Sequence, residues 1–261
     1  MWIINGRKTD DPKVELDGGY FFGYGAFETL LAEAPPVFLR MHLERLHRAL
    51  DVLGIGRRVE PWEVEQAVEL LSCRGQVLKV AVSEKNTVFS ARPNPYRQSD
   101  YAQGAVLGPS SVGKNSLSPA VRIKSLNYLE NLLENRKAKG QGWSDAFFLN
   151  EKGCVTETTT ANLFFLQNGK LHTPALENGL LDGTVRRWLL EEGQGNRLPE
   201  GLAVMEGNYG PEAFAASEGV IMTNSVLGVM AVSSWEGREL PRPEVLEAVR
   251  RHYGEATEWK G

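Results

Sequence analysis

Residues 144–173, SDAFFLNEKGCVTETTTANLFFLQNGKLHT, have the pattern of two consecutive β-hairpins. The turn NEKG at 150–153 separates the apolar strands of the first hairpin, and Asn168-Gly169 separates those of the second. Asn-Gly is a strong hairpin signal, because both central residues of the tightest hairpin turns adopt positive φ. We therefore expect an antiparallel sheet in the second half of the chain.

Helices alternate with strands along the rest of the sequence. Leucines recur at helical spacing within 40–53, and Gly54 marks the end of that helix. Further helices are predicted from Pro61, over 127–140, from Thr184 and from Pro243, and further strands at 2–5, 77–83, 87–91, 121–123, 220–223 and 229–232. Ala34-Pro35-Pro36 breaks the chain before the first helix. This mixed order predicts an α+β fold.

A segment rich in Ser, Gly and Pro, residues 108–119, is the best candidate for a domain boundary. We expect a small N-terminal α+β domain over 1–114. A larger C-terminal domain of mixed β-structure with helices is expected over 115–261.

The composition excludes several classes of protein. A net charge of −4 predicts no broad basic surface, so neither a nucleic-acid nor a membrane partner is expected. The two cysteines, Cys73 and Cys154, are distant and form no CxxC pattern, so no disulfide framework or metal site is expected. The start, MWIINGRK, has no apolar signal core. These features favour a cytoplasmic protein without a metal ion.

Lys124 lies at a predicted strand end, just before a helix, in VRIKSLNYLENLL (121–133). One interpretation is an edge lysine that points to solvent. The other is a desolvated amine suited to Schiff-base chemistry.

Glu157 is the only acid between Gly153 and Phe165. It is either a solvated strand carboxylate or an acid that keeps the ring nitrogen of a bound cofactor protonated.

Two segments could hold a phosphate group. Residues 181–186, LDGTVR, lead from a Gly-Thr turn into a helix, whose first N–H groups can bind an anion. Residues 223–225, TNS, lie between two strands and offer hydroxyl and backbone N–H groups. Taken singly, each segment is also compatible with an ordinary turn.

Arg45 shares one helix face with His42, three residues earlier. It is either in a surface ion pair with Glu44 or Asp51, or a buried arginine held against phosphate. The chain contains no HExxH, GxSxG, GxxxxGK(S/T) or GxGxxG motif. It therefore lacks the motifs that zinc proteases, α/β-hydrolases and P-loop proteins require.

Six segments in this order resemble the fold type IV pyridoxal-phosphate enzymes, also called class IV aminotransferases. They are FGYGAFETL (22–30), HLERL (42–46), KSLNYLENLL (124–133), the block at 144–166, GLLDGTVR (179–186) and MTNSVLGV (222–229). The resemblance implies a two-domain fold like that of D-amino acid aminotransferase, the cofactor pyridoxal 5'-phosphate, a homodimer, and an active site between the two domains.

The resemblance also implies roles for individual residues. Lys124 would carry the cofactor and act in catalysis, Glu157 would bind the pyridine nitrogen, and Tyr128 would reach the ring oxygen. The remaining cofactor-binding positions implied are Arg45, Gly183, Thr184, Val185, Thr223, Asn224 and Ser225. Tyr24, Phe22 and Val226 are the implied substrate contacts.

Within the family, Phe27-Glu28-Thr29 and the segment 224–229 resemble the aminodeoxychorismate lyases, which make 4-aminobenzoate and pyruvate for folate biosynthesis. Tyr24, where those lyases usually have Asp, and Ala231, where they usually have Pro, depart from this pattern. The alternatives are an aminotransferase for branched-chain or D-amino acids, and a non-catalytic homologue that binds the cofactor. An amine or amino acid is the substrate expected of an active member.

Overall fold

The computed structural model describes residues 1–33 and 36–258. Ala34 and Pro35, from the predicted chain break, therefore lie outside the described residues. Two compact units are present. The first comprises Met1–Pro95 together with Ile123–Tyr128, and the second comprises the other described residues.

The first unit contains a five-stranded antiparallel sheet with strand order β2-β1-β5-β4-β3. Its strands are β1 (Trp2–Ile4), β2 (Arg7–Thr9), β3 (Gly25–Leu31), β4 (Val77–Ser83) and β5 (Thr87–Arg92). Its helices are α1 (Gly18–Phe22), α2 (Leu39–Val52) and α3 (Pro61–Leu71).

The core of the first unit lies between one sheet face and helices α2 and α3. Alternation along β4 turns Leu78, Val80 and Val82 into this core, where they meet Leu46 and Leu50 of α2. The helices predicted over 40–53 and from Pro61, and the strands predicted at 2–5, 77–83 and 87–91, are thus confirmed.

The second unit contains a nine-stranded mixed sheet. The order is β11-β10-β9-β12-β13-β6-β7-β8, with β14 paired to β13. The strands are β6 (Ala105–Pro109), β7 (Asp145–Leu149), β8 (Val155–Thr158), β9 (Asn162–Gln167), β10 (Lys170–Pro174), β11 (Ala203–Gly207), β12 (Gly219–Asn224), β13 (Gly228–Trp235) and β14 (Arg238–Glu239). The helices are α4 (Gln98–Gln103), α5 (Leu129–Gly140), α6 (Thr184–Gln194), α7 (Pro211–Ala215) and α8 (Glu244–Thr257).

Both predicted hairpins are present in this sheet. β7 pairs antiparallel with β8, and β9 pairs antiparallel with β10. Asn168 and Gly169 have φ of 50° and 67°, as the two-residue turn requires. The α+β class predicted from the sequence is confirmed.

The strand predicted at 121–123 is wrong. Pro119–Arg122 form a 3₁₀ helix, and the next helix, α5, begins at Leu129 rather than Asn127. The carboxylate of Glu130, in the first turn of α5, pairs with the Lys114 amine at 2.8 Å.

The structure also divides the chain differently from the expected bounds of 1–114 and 115–261. β6 belongs to the second unit, because it lies between β13 and β7 in that sheet. Gly108, taken from the sequence as a linker signal, is inside β6. A Cβ there would stand 2.1 Å from the Trp143 ring, so glycine is required by packing.

No helix among residues 1–33 and 36–258 is long and apolar enough to cross a membrane.

Candidate active site

The segment that carries Lys124 is attached to strand β3 in the first unit. The N–H of Phe27 donates to the carbonyl oxygen of Lys124 at 2.9 Å, and Ser125 forms a β-bridge with Ala26. Gly25 permits this approach, because a Cβ there would lie 2.6 Å from Cδ1 of Leu126. Two backbone segments therefore approach each other closely at this glycine.

The amine of Lys124 lies against aromatic rings. Its Nζ is 4.5 Å from the centre of the Phe27 ring and 5.3 Å from that of Tyr128. These two rings meet edge to face at 5.4 Å. The residue is half-buried, so it is not an edge lysine that points freely into solvent. The amine therefore lies in cation–π geometry against both rings.

A second lysine contacts the same ring. Nζ of Lys79 lies 4.4 Å from the centre of Phe27. Desolvation lowers the pKa of Lys79, and the positive charge of Arg92 lowers this pKa further. Lys79 is therefore a residue of strand β4 whose amine contacts the same Phe27 ring as the Lys124 amine.

Arg45 is buried and pairs with an acid distant in sequence. Its Nε and Nη2 donate to the two carboxylate oxygens of Glu28, each at 2.7 Å. His42 Nδ1 lies 2.7 Å from the same carboxylate. The alternative of a surface ion pair with Glu44 or Asp51 is wrong, because α2 turns this face toward strand β3.

The charges of this cluster are set by its burial. Burial would raise the pKa of Glu28, but the charge and hydrogen bonds of Arg45 outweigh this effect and lower the pKa to about 2. Burial lowers the pKa of His42, and the charges of Arg45 and Lys124 act in the same direction. His42 is thus neutral near pH 7. A carboxylate only accepts hydrogen bonds, so the proton of His42 is assigned to Nδ1.

The two expected substrate contacts of the first unit differ in their surroundings. Phe22 is 79% exposed, at the end of α1. Tyr24 is also exposed, but its hydroxyl donates to the carbonyl oxygen of Leu53. The Tyr24 hydroxyl therefore anchors its own segment.

Glu157 is half-buried at β8 in the second unit. Its Oε2 accepts a 3.2 Å hydrogen bond from the backbone N–H of Leu181. The carbonyl oxygen of Leu181 in turn accepts from Nδ2 of Asn162 at 2.9 Å. The carboxylate orientation is thus set by the segment that leads into α6.

The start of α6 has the features of an anion site. Gly183 is its N-cap, and a glycine has no side chain with which to cap the helix. The N–H groups of Thr184 and Val185 therefore have no acceptor within the helix. Oγ1 of Thr184 is buried and has no hydrogen-bond partner among the described residues.

The turn after β12 offers a second buried hydroxyl. Oγ1 of Thr223, like that of Thr184, has no partner in the part of the chain that the structure describes. The side chain of Asn224 is used within the turn: its Oδ1 accepts from the N–H groups of Val226 and Leu227, and its Nδ2 donates to the Thr160 carbonyl oxygen. Ser225 is half-buried and Val226 is buried.

Three residues of these arrangements were not predicted as site residues. Glu28, His42 and Asn162 are all buried and polar. A lone acid inside the apolar strand sequence GAFETLL (25–31) was the available signal for Glu28, because such an acid needs a cationic partner. Asn162 carries no comparable signal, since its partner Leu181 is a backbone group.

No cluster of three His, Cys, Asp or Glu side chains that could hold a metal is present among residues 1–33 and 36–258.

Residues 25–235 match the protein family described as amino-transferase class IV. An aminodeoxychorismate lyase from Bacillus subtilis is 30% identical, covering 90% of this chain and 87% of its own. One from Vibrio harveyi is 36% identical, covering 89% and 90%. A D-alanine aminotransferase from Staphylococcus epidermidis is 23% identical, covering 93% and 92%.

Solved structures share the fold. The 4-amino-4-deoxychorismate lyase from Pseudomonas aeruginosa has a TM-score of 0.85 at 23% identity, covering 99% of this chain and 100% of that chain. A hypothetical aminotransferase from Mycobacterium tuberculosis, in a form with pyridoxal phosphate bound, has a TM-score of 0.85 at 20% identity, covering 98% of each chain.

Proposed function

The chain belongs to the amino-transferase class IV family, and we propose that it is a pyridoxal-phosphate-dependent 4-amino-4-deoxychorismate lyase. The observation that carries the proposal is the Lys124 amine, half-buried against Phe27 and Tyr128 within a segment that resembles the family. The aminodeoxychorismate lyases at 30% and 36% identity support the choice of reaction.

The residues present suit the cofactor. Its phosphate is a dianion, and the first turn of α6 offers such an anion N–H groups that have no acceptor within the helix. The buried hydroxyls of Thr184 and Thr223 lack partners among the described residues, and a phosphate has oxygens that would accept from both. The Mycobacterium tuberculosis aminotransferase of the same fold binds pyridoxal phosphate.

The proposal assigns to the bound cofactor the residues that the family resemblance implies. From the first unit these are Lys124, Tyr128 and Arg45. From the second they are Glu157, Gly183, Thr184, Val185, Thr223, Ser225 and the backbone of Asn224. Phe22, Tyr24 and Val226 are proposed as substrate contacts.

When bound, the cofactor supplies an electron sink that stabilises negative charge on the substrate carbon beside the amine. The Lys124 amine takes the proton from that carbon as general base. Glu157, oriented by the Leu181 N–H, holds a proton at the ring nitrogen. Departure of pyruvate as its enolate makes the substrate ring aromatic, and Lys124 returns the proton to the CH2 carbon of that enolate. The balance is one 4-amino-4-deoxychorismate to one 4-aminobenzoate and one pyruvate.

The test supplies the purified protein with chorismate, glutamine and an aminodeoxychorismate synthase, and follows 4-aminobenzoate by fluorescence. We expect product formation that requires added pyridoxal phosphate and is abolished in Lys124→Ala. Borohydride reduction followed by peptide mapping should place the cofactor on Lys124. Lys170→Met is the matched control, because Lys170 is exposed on β10. A label on another lysine contradicts the assignment.

An aminotransferase is the second candidate. The D-alanine aminotransferase relative, which covers 93% of this chain, supports it. The same lysine and glutamate serve both reactions. A screen of D- and branched-chain amino donors with 2-oxoglutarate separates the two, because only a transaminase forms glutamate.

The proposed enzyme is a cytoplasmic homodimer. Leu129, Leu132 and Leu133 lie along one face of α5 and are 54–62% exposed, an apolar face that a second copy would cover. Sedimentation should give a dimer for the natural chain and a monomer for Leu132→Glu. A cytoplasmic location suits the two free thiols, Cys73 and Cys154.

A further inference from the structure

Asn162 begins strand β9, and its side chain is buried in the second unit. Its Nδ2 donates to the carbonyl oxygen of Leu181 at 2.9 Å. The N–H of Leu181 donates to Oε2 of Glu157 at 3.2 Å. A single backbone residue therefore connects this amide to the carboxylate assigned to the ring nitrogen.

The oxygen of the same amide lies against the start of α6. A Cβ built on Gly183 would stand 2.0 Å from Oδ1 of Asn162, far inside any tolerated contact. Gly183 is the N-cap of α6, so its contact with Asn162 sets where the first turn of that helix begins. That turn is the proposed phosphate site.

The backbone of Asn162 provides a third connection. In the antiparallel pairing of β9 with β12, Asn162 is the register partner of Thr223. Thr223 carries one of the two buried hydroxyls without a partner among the described residues. Asn162 thus adjoins both segments assigned to the phosphate and is linked to the acid assigned to the ring nitrogen.

We propose that Asn162 is a positioning residue that holds the Glu157 carboxylate and the phosphate site at a fixed separation. This inference rests on the proposed function, which assigns those two groups to one cofactor. The pyridine nitrogen and the phosphate belong to one small molecule with little freedom, so a site whose two contacts are already spaced correctly loses less ordering entropy on binding. The competing explanation is an asparagine that only stabilises the loop before α6.

The test compares Asn162→Ala with Asn150→Ala. Asn150 is equally buried in the same unit, but its side chain bonds to Lys152, Cys154 and Asn178. We measure the dissociation constant of pyridoxal phosphate by absorbance titration, and the Tm of the cofactor-free protein. Both variants should lower the Tm. Only Asn162→Ala should raise the dissociation constant, by about tenfold, the equivalent of one lost hydrogen bond.

Two further measurements separate a positioning role from a general destabilisation of the loop before α6. Pyridoxal and inorganic phosphate, tested as separate ligands, should each lose less affinity in Asn162→Ala than the whole cofactor does. In a Glu157→Gln background, Asn162→Ala should lower the cofactor affinity by less than about tenfold, because an amide at position 157 does not hold a proton at the ring nitrogen and its placement then contributes less to binding.

Equal dissociation constants for the natural chain and Asn162→Ala, with a lowered Tm, would overturn the inference and leave the proposed function intact. Failure of the natural chain to bind pyridoxal phosphate would overturn the proposed function itself. If Asn162→Ala does not fold, Asn162→Ser and Gly183→Ala take its place. Each should raise the dissociation constant, and an unchanged value in both would count against the inference.

Discussion

The carboxylate of Glu28 and the guanidinium of Arg45 form a buried two-point ion pair, with both N–O distances at 2.7 Å. Glu28 is completely buried, and Arg45 is 7% exposed. The charge of Arg45 is therefore compensated before any anion binds. This pairing determines how the role proposed for Arg45 must be tested.

The ion pair makes stability depend on pH. The pKa of Glu28 is about 2 in the folded chain, against an ordinary value of 4.5. Its contribution is fully present above pH 4.5 and is lost as the pH falls from 4.5 toward 2. Urea unfolding should be measured between about pH 2 and 7. Toward low pH, the unfolding free energy should fall more steeply for the natural chain than for Glu28→Gln. Parallel curves would contradict the lowered pKa.

Replacement of Arg45 alone should change both the unfolding free energy and the affinity for the cofactor, so its effect on binding is not isolated. Arg45→Met leaves the Glu28 carboxylate buried without its cation, which should cost about 3–5 kcal/mol of unfolding free energy. The double variant Glu28→Gln/Arg45→Met should recover part of this loss. Urea unfolding of both variants checks the expectation.

In that double variant, the affinity for pyridoxal phosphate reports the role of Arg45 more directly. We expect a loss of about tenfold to a hundredfold, the value of a buried charge-assisted hydrogen bond. Arg48→Met, on the exposed side of α2, is the matched control. Lys79 is unsuitable as a control, because it contacts Phe27 beside Lys124. An unchanged affinity would remove Arg45 from the phosphate site.

The hydroxyls of Thr184 and Thr223, which have no hydrogen-bond partner within residues 1–33 and 36–258, predict opposite effects on stability and binding. Valine keeps the shape of threonine and removes a buried polar group, so Thr184→Val should stabilise the cofactor-free protein by about 1 kcal/mol. The same change should weaken pyridoxal phosphate binding by about tenfold. Calorimetry and absorbance titration measure the two quantities. A variant that changes neither would show that the hydroxyl faces no ligand.

Glu157→Gln should fold and bind cofactor but turn over slowly. The amide oxygen can still accept from the Leu181 N–H, so the local structure is kept. A neutral amide does not hold a proton at the ring nitrogen, so kcat should fall on the order of a hundredfold, with KM little changed. Steady-state kinetics on 4-amino-4-deoxychorismate test this. If the variant has the same kcat as the natural chain, Glu157 is an ordinary strand carboxylate.

Local patterns in the sequence were sufficient for most of the secondary structure. The two hairpins at 144–173, helix α2 and strand β4 follow from turn residues and hydrophobic periods, which act between near neighbours. The motifs around Lys124 and Glu157 likewise indicated the family. Local patterns were misleading where a residue is required by a contact with a distant part of the sequence. Gly108 resembles a linker glycine, but it lies in a strand and packs against the Trp143 ring.

The partners of the buried polar groups were decided only by tertiary structure. Arg45 has acids nearby in sequence, yet it binds Glu28, because α2 packs one face on β3 and excludes water there. Asn162 and Glu157 are linked through the backbone of Leu181, whose amide has no sequence signature. The sequence determined which segments form helices and strands, since those preferences are local. The pairing of charges depended on the packing of segments that are far apart in the chain. A buried charge pairs with the group that lies next to it in space, and that group need not be near in sequence.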